Sequence, residues 1–273
     1  MSYKTLLVHV EADQACDDRI KLASQVAGMF AAKVVGLGCE GFAPVMATGF
    51  AATDGMVIEA VRERIAIDLP LAEQRFRTLV GNAEIVADWI TGYEYPAAEL
   101  AQHARGADLI VASRPRRGAA AAFSANLPDV VLEAGVPVLV CADTPAKLKA
   151  EHVLVAWKNT RESRRALADA LPFLMRADRV TLLTVSGEAE SVEQPGLQEV
   201  VSRLARHGVV ADTLVAPKGS SAVAEVIDRT AGHLQADLVV MGAYGHPRLQ
   251  EWALGGATED LLAASSRHIL FSH

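Results

Sequence analysis

Near the end of the chain, Gly242, Gly245 and Gly255 follow a G-x2-G-x9-G spacing, and Gly256, Ala257 and Thr258 come directly after. Glycine lets a backbone take positive φ and approach a ligand closely. A helix that starts behind such a loop offers unpaired N–H groups and the positive end of its dipole. Together these make an anion cradle that needs no charged side chain. Thr258 is placed either to cap that helix or to give its hydroxyl to a phosphate oxygen, and His246 either touches phosphate or faces solvent. Glycines that serve only tight turns are the alternative reading. Three coincident features speak for the cradle: the preceding apolar run, the glycine pairs, and the helical pattern from Thr258.

The elements that must position this loop repeat along the chain. Strand patterns lie at Thr5–Val10, Lys33–Leu37, Ala83–Ile90, Leu109–Ala112 and Val136–Cys141, with helical patterns at Asp17–Ala32, Val57–Leu79 and Pro96–Ala104 between them. The series then restarts. Strands are expected at His152–Trp157, Arg179–Val185, Val209–Ala216, Asp237–Met241 and His268–Phe271, and helices at Arg161–Leu174 (Thr160 as N-cap), Gln194–His207, Ala222–Leu234 and Thr258–Ala264. VLVAWK at 153–158 lies over LLVHVE at 6–11, and the segment ending QADLVVMG lies over the one ending GADLIVAS. Shared order across the chain marks an internal duplication.

Short buried strands alternating with helices make a parallel sheet covered on both faces. The expectation is α/β: two tandem doubly wound five-stranded domains, 1–146 and 150–273. Ligands in such sheets sit at the carboxyl ends of the strands, where strand order reverses. That places function just after Val10 and Ala112 in the first copy, and just after Trp157 and Met241 in the second.

The duplication and the G-x2-G-x9-G loop resemble the universal stress protein family, in its tandem, two-domain form, over nearly the whole chain. The resemblance implies an adenine nucleotide alpha hydrolase-like fold with strand order 3-2-1-4-5. It implies an adenine-nucleotide site in the second domain for ATP, with Mg2+ as its companion ion, and a regulatory role in the stress response. Gly242, Gly245 and Gly255 would line the triphosphate, Val185 would give a main-chain contact to adenine, and Ala156, Trp157 and Lys158 would flank the nucleotide. It also implies an intramolecular pseudo-dimer joined through Pro137–Cys141 and His268–Phe271, open to further homodimer formation, and a protein partner of unstated identity.

Two positions depart from the family pattern. Gly256 stands where Ser or Thr follows the third glycine, and Lys158 stands where an Asp usually ends the first strand. Lys158 either pairs with a phosphate or is a solvated loop residue. The first copy departs further. Ser113-Arg114-Pro115-Arg116 replaces the first glycine pair, Glu11 keeps the acidic position, and Ala119–Ala122 follow. That copy reads as structural or partner-binding, its Glu40–Gly81 insert serving as a lid or a packing surface.

Composition bounds the alternatives. The net charge of −7 argues against nucleic acid and anionic membranes as general partners. The N-terminal apolar run is too short for a signal or a span, so the expected place is the cytoplasm. Cys16, Cys39 and Cys141 show no metal or disulfide spacing and read as small apolar side chains. His9 reads as a satisfied core histidine. No nucleophile elbow, P-loop or HExxH is present, so no catalytic residue and no metal ligand is assigned. Two other functions stay open: an interaction module that takes no nucleotide, and slow ATP hydrolysis or self-phosphorylation.

Overall fold

The computed structural model describes residues 2–12, 16–39, 55–81, 84–114, 125–142, 147–187, 196–245, 256–263 and 265–273. His246, Gly255, Arg116, Arg117, Ala119–Ala122 and residues 40–54 of the insert lie outside them. Contacts divide the chain into two compact units. One is Tyr3–Ala134; the other is Gly135–His273 with Met1–Ser2.

The first unit has strands β1 (Thr5–Val10), β2 (Lys33–Cys39), β3 (Ala87–Gly92) and β4 (Leu109–Ala112), with helices α1 (Asp17–Phe30), α2 (Gly55–Val80), α3 (Pro96–His103) and α4 (Leu127–Glu133). The strands run parallel in the order β3-β2-β1-β4. Strands covered on both faces bury nearly every side chain, as in β4, where all of Leu109–Ala112 is buried. The described part of the insert is a packing surface. Leu69, Ala72, Phe76 and Val80 of α2 are buried at helical spacing, and the Phe76 ring lies 5.7 Å from that of Trp89. Gly36 makes room for both, since a Cβ there would meet Trp89 at 2.8 Å and Phe76 at 3.0 Å. Burying a side chain the size of Phe76 contributes roughly 1.5–3 kcal/mol.

The second unit contains β5 (Val138–Val140), β6 (His152–Ala156), β7 (Arg179–Ser186), β8 (Ala211–Pro217), β9 (Leu238–Gly242) and β10 (His268–Ser272). Its helices are α5 (Arg161–Asp169), α6 (Leu171–Leu174), α7 (Leu197–Arg206), α8 (Val223–His233) and α9 (Ala257–Ala263). The order β8-β7-β6-β9-β10 is the expected 3-2-1-4-5 arrangement, all parallel. On the far side of β10, β5 pairs antiparallel, with Leu139 opposite Leu270. The strand written as the fifth of the first copy thus groups with the second unit, where its partner is β10.

The duplication extends to hydrogen bonds. Asp108, just before β4, accepts from the backbone N–H groups of Lys4 (2.7 Å) and Thr5 (2.9 Å) at the start of β1. Asp237, just before β9, accepts from those of Lys149 (3.1 Å) and His152 (3.2 Å) at the start of β6. Each carboxylate ties the start of the first strand to that of the fourth.

Some boundaries differ from the sequence reading. Strand β3 begins at Ala87 rather than Ala83, after a turn. The helix expected over Arg161–Leu174 breaks at Ala170, because Pro172 sits at the start of α6 and brings no N–H to continue the ladder. Thr160 does cap α5, its hydroxyl accepting from the Ser163 N–H at 3.3 Å. Among the described residues, no helix is long and apolar enough to cross a membrane.

Candidate functional site

Strand order reverses between β6 and β9, so the chain parts to either side beyond their carboxyl ends and leaves a crevice. A cavity of about 690 Å³ opens there, inside the ~300–1,000 Å³ range of small-molecule sites. One wall is Ala156, Trp157, Lys158, Asn159 and Thr160, which run from β6 into the cap of α5. A second is Leu183, Thr184 and Val185 at the end of β7, faced by Val223 and Ile227 one helical turn apart on α8. The third is Met241, Gly242, Tyr244 and Gly245, with Gly256, Ala257 and Thr258 at the start of α9. Every described residue named for the site from the sequence therefore lines one cavity.

The glycines work differently from the expectation. Neither Gly242 nor Gly245 takes positive φ; the left-handed residue is Tyr244, at φ 56°. The Tyr244 N–H donates to the Thr258 hydroxyl at 3.3 Å, and its phenol donates to Glu259 at 2.9 Å. The loop is thus tied to α9, and Thr258 is buried in that tie. Gly242 is glycine because of packing: a Cβ would lie 2.5 Å from both the Glu162 carbonyl carbon and the Ser163 nitrogen. At Gly245 a Cβ would press the Glu162 carboxylate tip, at 3.0 Å, and touch the Thr160 hydroxyl at 3.6 Å.

Glu162 is a second acidic side chain beside this loop, next to Gly245. Burial pushes its carboxyl up, but its own backbone N–H, the Thr160 hydroxyl and the Arg161 guanidinium outweigh that and hold it below the usual carboxylate range. The Arg161 Nε stands 3.0 Å from it. Lys158 is exposed at the rim. Behind it, Arg164 donates to the Asn159 side-chain carbonyl at 2.8 Å.

At the matching place in the first unit, an arginine joins the ends of two strands. Arg19, buried in the first turn of α1, donates to the His9 carbonyl (2.8 Å), the Ser113 hydroxyl (2.8 Å) and the Glu11 carboxylate (2.7 Å). Its guanidinium bridges the ends of β1 and β4, where the second unit has its cavity. Sequence reading missed Arg19, although it lies on the buried stripe with Ile20, Ala23 and Val26.

His9 is only half satisfied, contrary to expectation. Its Nε2 faces the Cys39 carbonyl at 3.3 Å, while its buried Nδ1 has no hydrogen-bond partner and lies 3.8 Å from Glu11. Burial, the largest cause, and the Arg19 charge outweigh the pull of Glu11 and lower its pKa from 6.5 to about 4. Between those values the unfolded chain binds a proton that the folded chain does not. Stability should therefore fall as pH drops from about 6.5 to about 4, by a total of about 3 kcal/mol. Urea midpoints across that range check it, and His9→Asn should flatten the slope; an unchanged slope in that variant would remove His9 as the cause.

Residues 149–271 match the model of the universal stress protein family. The second half of the chain is a universal stress protein domain. A universal stress protein from Archaeoglobus fulgidus DSM 4304 superposes with a TM-score of 0.74 at 16% identity, covering 98% of this chain and 95% of that one. A functionally unknown protein from Pseudomonas aeruginosa PAO1 does so at 0.60 and 18%, covering 99% and 92%. The cytoplasmic domain of a prokaryotic cation chloride cotransporter reaches 0.51 at 13%, covering 98% and 94%. Such identities carry the fold alone, and they extend it to the first unit beside the universal stress domain. No curated protein matches.

Proposed function

We propose that the universal stress domain binds an adenine nucleotide, ATP in the first instance, at the β6/β9 switch point, and that occupancy biases a regulatory, partner-binding state in the stress response. The observation that carries this reading is the cavity lined by Trp157, Lys158, Val185, Gly242, Gly245 and Gly256–Thr258. Its apolar wall of Leu183, Val223 and Ile227 suits a purine ring. The loop from Gly242 to Gly245 and the start of α9 present backbone to the phosphates. The first unit, with Arg19 in the corresponding place, serves as structure or as a partner surface. No described group pairs a nucleophile with a base at the cavity, so the reading is binding rather than turnover.

A ligand that binds only the folded state stabilises it. At about 100 times its Kd, ATP should add about 2.7 kcal/mol and raise Tm by several degrees. Gly245→Val should lose that shift while keeping the unliganded Tm within a few degrees. No shift with millimolar ATP would count against the reading. One observation favours the second reading, an interaction module without nucleotide: packing against α5 alone is enough to require glycine at 242. The same variant decides, because under that reading Gly245→Val changes no nucleotide affinity.

A further inference from the structure

Mg2+ bound at a protein site usually rests on one or two carboxylates together with the substrate phosphates. The described walls of the cavity in the universal stress domain do not offer them. Among its described lining residues none is Asp or Glu, and the one charged side chain is that of Lys158. Of its hydroxyls, that of Thr184 is buried without a hydrogen-bond partner, but a lone neutral hydroxyl does not stand in for a carboxylate; two others are engaged. Thr258 accepts from the Tyr244 N–H, and Thr160 accepts from the Ser163 N–H. Neither carboxylate beside the glycine loop lines the cavity: Glu162 is held by Arg161 at 3.0 Å, and Glu259 accepts from the Tyr244 phenol at 2.9 Å. Among the described residues, no cluster of acidic, His or Cys side chains could hold a metal ion.

We propose that this site takes its nucleotide as the metal-free polyphosphate anion, with the Lys158 ammonium in the place that a protein-bound Mg2+ would fill. The inference rests on the nucleotide reading above and sharpens it. An ammonium is a compact point charge with three donors and serves phosphate well. Arg164, one step behind through Asn159, adds to the positive potential at the rim. A phosphate already neutralised by Mg2+ gains less from that field. The second domain therefore selects by charge: ATP or ADP free of metal over the magnesium complex, and either over adenosine.

Titrating the full-length protein with ATP, followed by Trp fluorescence and calorimetry, tests this in EDTA and in excess Mg2+. Wild type should bind ATP in EDTA at least as tightly as in Mg2+. Lys158→Ala should lose roughly tenfold or more in EDTA, the scale of one charged hydrogen bond. Lys158→Asp should bind ATP only when Mg2+ is supplied. The exposed position of Lys158 leaves folding intact in both variants, which the unliganded Tm confirms. Wild-type binding that is tenfold or more weaker in EDTA than in Mg2+ would overturn the inference while keeping the nucleotide site. Equal affinity of wild type and Lys158→Ala in EDTA would overturn it too. Failure of ATP to bind in either condition would overturn the nucleotide reading and this inference with it.

Discussion

Arg19→Ala should lower the stability of the first unit by about 3–5 kcal/mol, the usual cost of removing one partner from a buried ion pair. Arg19 is 4% exposed and Glu11 is 9% exposed, and they meet at 2.7 Å. Truncation leaves the Glu11 carboxylate buried without its guanidinium. It also strips a donor from the His9 carbonyl and another from the Ser113 hydroxyl. Urea unfolding of the variant measures the loss. Arg19→Met combined with Glu11→Leu should recover much of it, because replacing a whole buried pair by apolar groups is often close to neutral. A loss below about 1 kcal/mol for Arg19→Ala would mean that water reaches the pair. ATP binding by the universal stress domain should not change in either variant, since none of these residues lines its cavity.

Gly242→Ala should be the most damaging single methyl in the second unit. Its Cβ would sit 2.5 Å from the backbone at Glu162 and Ser163, and no rotamer change relieves a backbone clash. Helix α5 must shift, at a cost of about 1–3 kcal/mol for forced overpacking. The shift carries Asn159, Thr160 and Ser163, which form one cavity wall, so nucleotide affinity should fall with stability. Gly245→Ala gives the contrast. Its Cβ would press only the tip of the Glu162 side chain, at 3.0 Å, and the expected stability loss is under about 1 kcal/mol. Thermal melts and ATP titrations of the two variants separate the roles. Equal stability losses in both would contradict the assignment of Gly242 to packing.

These contrasts show what the residues disclose on their own. The glycine spacing pointed to a loop whose described residues line the cavity, as do Ala156, Trp157 and Lys158 at the end of β6, because strand ends and switch points follow from local pattern and topology. Why position 242 must be glycine was not legible, because its partner is the first turn of α5, about eighty residues earlier in the chain. Positive φ fell on Tyr244 rather than on a glycine, because bonds to Thr258 and Glu259 hold that residue in place. Arg19 escaped because a helical pattern is scored on its apolar members. A charge standing on the buried stripe was the available signal, and it calls for a buried partner. The family resemblance gave the pairing of Pro137–Cys141 with His268–Phe271, but its antiparallel direction could not be read, since three apolar residues carry none. His9 was read from burial alone, which says nothing about whether both ring nitrogens find partners.

Native mass spectrometry of the full-length protein with ATP tests the central claim most directly. One adenine nucleotide should bind per chain, because the second switch point holds a cavity and the first holds the Arg19 guanidinium; Gly242→Ala should reduce that bound nucleotide sharply. A chain that takes up none at millimolar ATP, or one that takes up two, would contradict the account.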